Sequence, residues 1–336
     1  DWEILPARVE AVIAERIGRL NPTDRALLRA ASVEGETFTA EVLASALAMK
    51  PRAAIAALSG HLDRRHRLVR AQGLRKTENG PLSRYQFRHI LFQTHLYRHL
   101  DPVERAHLHA EIYHALSSLY GDETGIAASM VPQLAWHAEN AGRDREAIDR
   151  YQQAGQWALQ VSANEEAAAH FRRALALVPR LPDSRCRMER ELALQLDLAV
   201  PLIALRSWGA PEVEAAYRRA LALSRTLDAT PELAQALEGI RGFHHVRAEY
   251  QAALAVAEEY YRQSQTLKDP VAHLLGPFPK GAVLLFVGDF EQSLSYLNAH
   301  LSRYDPDAHQ TLMFVMGQDP AVVSRSFAVY DLWYMG

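Results

Sequence analysis

The chain carries a helical pattern that recurs about every 40 residues, and this repetition constrains the fold more than any other feature. The four copies read NEEAAAHFRRALAL (164–177), PEVEAAYRRALALS (211–224), AEYQAALAVAEEYY (248–261) and GDFEQSLSYLNAHL (288–301). Each copy sets a large residue three or four positions from a small one, as the packing face of a helix requires. The chain between copies has room for one antiparallel partner helix. The repeat unit is therefore a helical hairpin, and such hairpins bury their apolar faces by stacking into an α-solenoid.

The first hundred residues follow a different pattern. Apolar residues at helical spacing fill 5–20, and Thr23 is an N-cap candidate for a helix over 24–33. Two further helices are predicted over 40–48 and 52–65. The runs LVRAQG and RYQFRH, separated by the turn-rich TENGPLS, predict a β-hairpin. Helices followed by a small hairpin indicate a winged helix, so the sequence predicts a mainly α protein with a winged-helix domain over 1–100 and a repeat solenoid over 101–336.

Composition limits the classes of function. The formal net charge of the 336 residues is −3, which gives no chain-wide basic field for nucleic acid or an anionic membrane. Cys186 is the single cysteine, which excludes an internal disulfide framework and a cysteine-based zinc site. The longest apolar patch, AVLLFV at 282–287, is too short to span a bilayer. We therefore expect a cytoplasmic protein without membrane contact. The helical patterns run close to both chain ends, which we interpret as a segment of a longer protein with a truncated last repeat.

The stretch YDPDAHQTLMFVMGQDP at 304–320 raises the question of a metal or acid–base site at Asp305 and His309. Each Asp-Pro pair keeps its aspartate out of the helical region, so one helix stops and another begins. We interpret the stretch as a connector whose LMFVM segment packs on the solenoid. Another irregularity is HLLGPFPKGAVLLF at 273–286, where Pro277 and Pro279 predict either a broken helix or a degenerate repeat.

Several of these segments together resemble a known family. LPARVEAVIAERIGRL, LLRAASVEGETFTAEVLA, LDRRHRLV and YQFRHILFQTHLY are similar to the region after the nucleotide-binding core in bacterial signal-transduction ATPases of the STAND group. SANEEAAAHFRRALAL, WGAPEVEAAYRRALAL and YDPDAHQTLMFVMGQDPAV are similar to the tetratricopeptide-type repeats of cyclase-linked members of that group. The resemblance implies a winged helix that couples an upstream nucleotide domain to a repeat sensor, and an adenylate or guanylate cyclase as one form of output.

The catalytic parts of that family have no counterpart in this sequence. It lacks G-x-x-x-x-G-K-[ST], the loop that cradles nucleotide phosphates, and it lacks paired metal-binding aspartates in a cyclase-like context. We therefore predict no catalytic residue and no cofactor in this segment, and expect ATP and magnesium in an upstream domain of the parent protein. That upstream domain is one predicted partner.

Two positions are candidates for sensing a nucleotide. In proteins similar to this family, an arginine or histidine of the winged helix senses the phosphates, and Arg88 and His89 occupy the matching place. The alternative is a structural role at a helix start, with the pair solvated or bonded to the hairpin.

Histidines invite a metal-binding interpretation. His95 and His99 stand at i, i+4 in HLYRH, a spacing that can chelate zinc, but no glutamate follows the first histidine as it does in zinc proteases. A closed zinc site needs four ligands in a fixed geometry. We therefore predict no metal site, with these histidines on the rim of a packed helix.

The repeats offer the main predicted function, which is binding of a protein or peptide on their concave face. The candidate groove residues are Trp208, Arg241, Phe243, His244 and His245. The alternative for Phe243 in particular is that it fills the core between repeats.

Two other functions remain open. Segment 51–114 carries eleven Arg or Lys against five acidic residues, so a winged helix there has basic charge for DNA phosphates. The alanine-rich third and fourth helices lack the polar side chains that read bases, which favours packing on a protein domain and makes DNA an unlikely partner. A plain repeat scaffold without any nucleotide domain is the third interpretation.

Overall fold

A computed structural model describes residues 7–77, 80–120, 128–228, 230–266, 270–309 and 319–336. Its architecture is mainly α, which confirms the predicted fold class. The chain divides into two compact units, Asp1–Ala154 and Gly155–Gly336. The domain boundary near residue 100 stays a prediction.

The first unit begins with helices and a small sheet. Its helices are α1 (Ala7–Gly18), α2 (Pro22–Glu34), α3 (Ala40–Ala46), α4 (Pro51–Ala56) continued by a π-helix (Ala57–Arg65), α5 (Ile90–Arg98), α6 (Pro102–Tyr120), α7 (Val131–Asn140) and α8 (Asp144–Gln160), which runs into the second unit. Thr23 is not the N-cap of α2. Asn21 is, because its side chain accepts a hydrogen bond from the Asp24 amide at 2.8 Å and Pro22 takes the first helical position.

The sheet has three antiparallel strands, β1 (Thr37–Thr39), β2 (Val69–Thr77) and β3 (Gly80–Phe87), in the order β1-β3-β2. The predicted hairpin is β2–β3, and β1 is a short strand that the sequence did not indicate. Phe38 of β1 lies 5.2 Å from Phe87 and 6.2 Å from Tyr85, between ring centroids, and all three rings are buried. This aromatic cluster packs β1 against β3.

The second unit is a series of helices, each packed on its neighbours along the chain. They are α9 (Asn164–Leu177), α10 (Arg185–Arg206), α11 (Pro211–Leu227), α12 (Thr230–Val246), α13 (Tyr250–Thr266), α14 (Pro270–Leu275), α15 (Pro277–Val287), α16 (Phe290–Leu301), α17 (Pro306–His309) and α18 (Pro320–Met335). The four repeated segments of the sequence form α9, α11, α13 and α16. The predicted stack of helical hairpins is therefore confirmed.

Glycines let the paired helices approach each other. A Cβ added at Gly155 of α8 would lie 2.5 Å from Cε1 of Phe171 on α9. A Cβ added at Gly281 of α15 would lie 2.9 Å from Cγ of Leu297 on α16. In both hairpins the glycine precedes its partner by the same number of residues, so a repeated contact underlies the repeated sequence.

Each of the two irregular stretches separates one helix from the next. Helix α14 ends at Leu275, and Pro277 starts α15 after the single residue Gly276, so the broken-helix alternative is the observed one. After α16 ends at Leu301, Asp319 caps α18 by accepting from the amides of Ala321 and Val322, and Pro320 takes its first position. This agrees with a connector between two helices, although its LMFVM segment lies outside the described residues.

In the described part of the chain, Pro270–Val287 is the one helical stretch long and apolar enough to span a membrane by length and composition. However, 61% of it is buried against the rest of the fold, as in a core helix.

Candidate functional site

Arg88 and His89 stand where β3 passes into α5. Arg88 donates from Nε to the Val69 carbonyl at 2.9 Å and from Nη2 to Asp63 Oδ1 at 2.7 Å. His89 is the N-cap of α5, and its Nδ1 accepts from the Leu91 amide at 3.2 Å. Both side chains therefore make bonds within the unit, which matches the structural alternative. Their role in sensing a nucleotide stays a prediction.

The predicted partner-binding residues lie in and beside α12. Trp208 rests on Gly242, where an added Cβ would lie 2.7 Å from the indole ring, and it stacks on Tyr217 with ring planes 7° apart. Phe243 is 4% exposed and lies in the core between helices. Arg241 binds both carboxylate oxygens of Glu238, at 2.8 and 2.5 Å. These three side chains thus serve packing within the unit.

The two histidines at the end of α12 have different surroundings. His244 Nδ1 lies 2.6 Å from a carboxylate oxygen of Glu249. The ring of His245 meets those of Phe286 and Tyr250 edge-on, with centroids 4.6 and 5.8 Å away. Burial, with a smaller contribution from the positive charge of Arg241, lowers the pKa of His245 to about 4, so the ring is neutral at pH 7. Five candidates from the sequence are thus brought together around one helix end, with Trp208 and the two histidines partly accessible.

A second group of histidines forms a buried chain between α5, α6 and α7. His109 Nδ1 lies 2.9 Å from His137 Nδ1, and Tyr97 Oη lies 3.1 Å from His109 Nε2. Both imidazoles are fully buried. Burial is the main cause that lowers the pKa of His109 to about 4 and that of His137 to about 3. The sequence offered no sign of this pairing, since the two residues stand on separate helices.

A third group combines α1 with α5. Glu10, His95 and His99 each offer one ligand atom, and these atoms lie within 4.8 Å of one another. The rings of His95 and His99 are 4.0 Å apart between centroids, as i, i+4 neighbours on one helix face. Burial lowers the pKa of His95, with a smaller contribution from His99 that Glu10 opposes. The i, i+4 spacing was visible in the sequence, whereas the arrival of Glu10 from another helix was not.

In the second unit, α16 and α18 meet through two polar contacts. His300 Nδ1 lies 2.7 Å from Ser324 Oγ, and Ser293 Oγ donates to Asp331 at 2.6 Å. The Gly281 carbonyl oxygen lies 2.9 Å from the same Ser293 Oγ. All four side chains are buried. Because the serine–aspartate and serine–histidine pairs are separate, they do not form a nucleophile–base–acid relay, and their effect is to fix the register of two helices.

No protein-family model matches this chain, and no curated protein matches it. Among solved structures, it is similar to a Signal Transduction ATPase with Numerous Domains (STAND) protein with a tetratricopeptide repeat sensor from Pyrococcus horikoshii. The identity is 13% and the TM-score 0.37, over 100% of this chain and 51% of that chain. This chain thus spans about half the length of that protein.

A second solved structure is BtubC (BKLC) from P. vanneervenii, with 15% identity and a TM-score of 0.25. The likeness covers 63% of this chain and 77% of that chain. Similarities of this size assign neither a family nor a function, so the function is argued from the residues themselves.

Proposed function

We propose that this chain is a regulatory, protein-binding module of a signalling ATPase. The second unit would bind a protein or peptide, and the first unit would pass its state to a nucleotide-binding domain upstream in the parent protein. The observation that carries the proposal is the stack of helical hairpins from α9 to α18, because such stacks present a continuous surface made by several repeats. The proposal includes a cytoplasmic location and a cyclase as one form of output.

Charge pairs connect the repeats on their exposed side. Arg219 of α11 binds both oxygens of Glu191 on α10, at 2.6 and 2.8 Å. Arg225 of α11 reaches Glu259 of α13 at 2.6 Å, which joins one repeated segment to the next. Pairs of this kind fix the angle between repeats, so a partner that spans several repeats would meet a surface of defined shape. They support an interaction surface more than a catalytic one.

From α2 to β3 the first unit has the order helix, strand, helix, helix, hairpin, which supports the winged-helix interpretation. Helix α4 continues without a break into the π-helix Ala57–Arg65, a form often found at functional positions. A winged helix placed after a nucleotide domain is well suited to transmit its state, because a rigid small domain moves as a body. Transmission also requires that the contacts differ between two states.

The experiment compares the parent protein with and without residues 155–336. Deleting the second unit is expected to change the rate of ADP release from the upstream domain several-fold, because the repeats would no longer bias the nucleotide switch. An unchanged release rate, together with correct folding of the shortened protein, would contradict the proposal.

DNA binding is a second candidate, favoured by one observation. Arg64, Arg65 and Arg67 are exposed at the end of the π-helix, beside the hairpin. Fluorescence anisotropy of a labelled duplex with the whole chain would test it. Binding that weakens steeply between about 50 and 200 mM salt would favour DNA, since phosphate contacts release counterions. No binding at about 50 mM salt would dispose of it.

A further inference from the structure

Glu10, His95 and His99 bring three metal-ligating groups from two helices to one point. Glu10 Oε1 lies 3.9 Å from His95 Nδ1 and 3.6 Å from His99 Nε2. Both distances are too long for hydrogen bonds. In a tetrahedral zinc site, metal–ligand bonds of about 2.0–2.1 Å separate neighbouring ligand atoms by about 3.3 Å. The two distances to Glu10 therefore exceed this spacing by about 0.6 and 0.3 Å, and all three ligand atoms lie within 4.8 Å of one another, so small side-chain rotations would bring them to an ion.

The orientation of His99 leaves the correct nitrogen available. His99 Nδ1 lies 2.8 Å from the carbonyl oxygen of His95, and a carbonyl only accepts, so Nδ1 carries the proton. The lone pair is then on Nε2, which is the atom that faces Glu10. Metal-binding histidines characteristically donate their other ring nitrogen to a carbonyl in this way, because the bond fixes tautomer and orientation.

His95 supplies an independent observation. Its side chain is 8% exposed, and its Nδ1 is buried without a hydrogen-bond partner among the described residues. A buried polar nitrogen left unpaired is unfavourable, and such groups normally have a partner. The same nitrogen points to the Glu10 carboxylate from beyond hydrogen-bonding distance. A cation between them would satisfy both groups.

The surroundings select the kind of ion. Two imidazoles and one carboxylate form a mixed nitrogen–oxygen set, which zinc accepts and which differs from the all-oxygen sets of calcium and magnesium. The side chains of Glu10 and His99 are 44% and 58% exposed, so an ion can enter from solvent. Three protein ligands leave a fourth position for water.

We propose that Glu10, His95 and His99 bind one zinc ion, with water as the fourth ligand, and that the ion fastens α1 to α5. Helix α1 already packs on α5, where the guanidinium of Arg16 lies 5.0 Å from the centre of the Phe92 ring. The ion adds a bond between the same two helices at the other end of this contact. The proposal is independent of the regulatory function, since it concerns only how firmly α1 is held on α5.

The first test is titration of the EDTA-treated whole chain with zinc chloride by calorimetry, and with cobalt chloride by visible absorption. One equivalent is expected to bind, with the strong absorption bands of tetrahedral cobalt. His99→Gln and Glu10→Gln should each weaken binding by about tenfold or more. Both side chains are substantially exposed, and circular dichroism would show that the variants fold.

The matched control is His107→Gln. His107 lies 3.9 Å from Glu111 in an i, i+4 pair on α6, and no third ligand group joins them among the described residues. This variant should bind zinc as the wild type does. If His99→Gln binds zinc as tightly as the wild type, the ion is held by other surface histidines and the proposal is wrong.

Amide hydrogen exchange shows whether zinc stabilises α1. Zinc should slow amide exchange across Ala7–Gly18 in the wild type and leave it unchanged in His99→Gln. Zinc binding that is lost in His99→Gln without any change of exchange in α1 would refute the fastening of α1, while leaving the ligand set in place.

Discussion

One helix pair of the first unit and two helix pairs further along the chain are joined by different kinds of contact. Between α6 and α7 of the first unit, the contact is a pair of buried imidazoles, His109 and His137. Between α8 and α9, and between α15 and α16, it is a glycine against a large apolar side chain, as in Gly155 with Phe171. A buried ionisable pair responds to pH, whereas a close-packed glycine responds only to volume. We therefore expect the imidazole pair to be sensitive to acid and the glycine contacts to be sensitive to added side-chain volume.

The largest expected effect is a loss of folding stability in acid, caused by the buried pair His109 and His137. The pKa values of His109 and His137, about 4 and about 3 in the folded chain, lie below the usual 6.5, so the unfolded chain takes up protons first as pH falls. Stability is constant above about pH 6.5 and is lost below it, by about 1.4 kcal/mol per pH unit for each group. Urea unfolding should therefore show a loss of about 3 kcal/mol between pH 6.5 and 5 from this pair.

The variant His137→Gln isolates this effect from that of other histidines. It should unfold with a shallower dependence on pH than the wild type, whatever its stability at pH 7. Hydrogen exchange in α6 and α7 should show the same difference. Equal slopes for the two proteins would mean that the imidazole pair does not set the acid sensitivity.

The substitution Glu34→Gln should stabilise the protein, because Glu34 makes stability fall as pH rises, whereas the histidine pair makes it fall as pH drops. Burial raises the pKa of Glu34 to about 8, and its Oε2 is buried without a hydrogen-bond partner among the described residues. Above about pH 4.5 the unfolded chain ionises this carboxyl while the folded chain keeps it protonated, so stability falls as pH rises towards 8. Glutamine removes this loss, and the variant should be more stable by up to about 3 kcal/mol at pH 7.

Denaturant unfolding at pH 4.5 and 7 checks the sign, since the gain should vanish at the lower pH. Glu41→Gln is a useful comparison, because Glu41 already has partners in the amide and hydroxyl of Ser83. That variant should be destabilised. A Glu34→Gln protein that gains nothing at pH 7 would show that its carboxyl is ionised in the folded chain.

Substituting alanine for the close-packed glycines tests the contact between each glycine and the apolar side chain of the neighbouring helix. Gly155→Ala and Gly281→Ala should each lose about 1–3 kcal/mol, because the buried partner side chain has no room to move. Gly60→Ala is the matched control, since no atom lies within 4 Å of its added Cβ and the residue is helical. It should be neutral or slightly stabilising. If all three variants lose the same stability, the loss does not come from the close glycine contacts.

The smallest effect is expected at Arg88. Arg88→Ala breaks the ion pair with Asp63, but the arginine side chain is 43% exposed, so solvent screens the pair and the loss should stay below about 1 kcal/mol. Arg70→Ala on the neighbouring strand β2 is the control, since the side chain of Arg70 is bonded to a neutral group, the Gln86 side chain. If Arg88 also senses a nucleotide, Arg88→Ala alone should weaken ATP binding by the parent protein. Equal ATP binding by both variants would leave Arg88 a structural role.

The fold was predictable where information is local. The strings HFRRALAL and AYRRALAL belong to helices because their periodicity specifies one apolar face. The pairing of β2 with β3 and the helix break at Pro277 were predictable for the same reason. The prediction of Thr23 as the cap is wrong because Asn21, two positions earlier, and the Pro22 that follows it form the stronger start signal.

The candidate sites were less predictable. The sequence listed Trp208 and Phe243 as groove residues, yet it could not show that a notch at Gly242 receives the indole or that the phenyl ring is 4% exposed. It showed His95 and His99 as neighbours, but gave no reason to join them with Glu10, which lies on a distant part of the chain. Side-chain pairs across helices depend on crossing angles that no local pattern encodes.

The sequence by itself determined the helices, their repetition, the hairpin and the lack of a phosphate-binding loop, because each depends on neighbouring residues or on a fixed local spacing. Tertiary structure alone decided the partners. It set which histidines lose contact with water, which glycine faces an aromatic ring, and which carboxylate meets two imidazoles. The physical reason is that burial and pairing arise from packing between distant segments, where desolvation and close contact act on groups that are not neighbours along the chain.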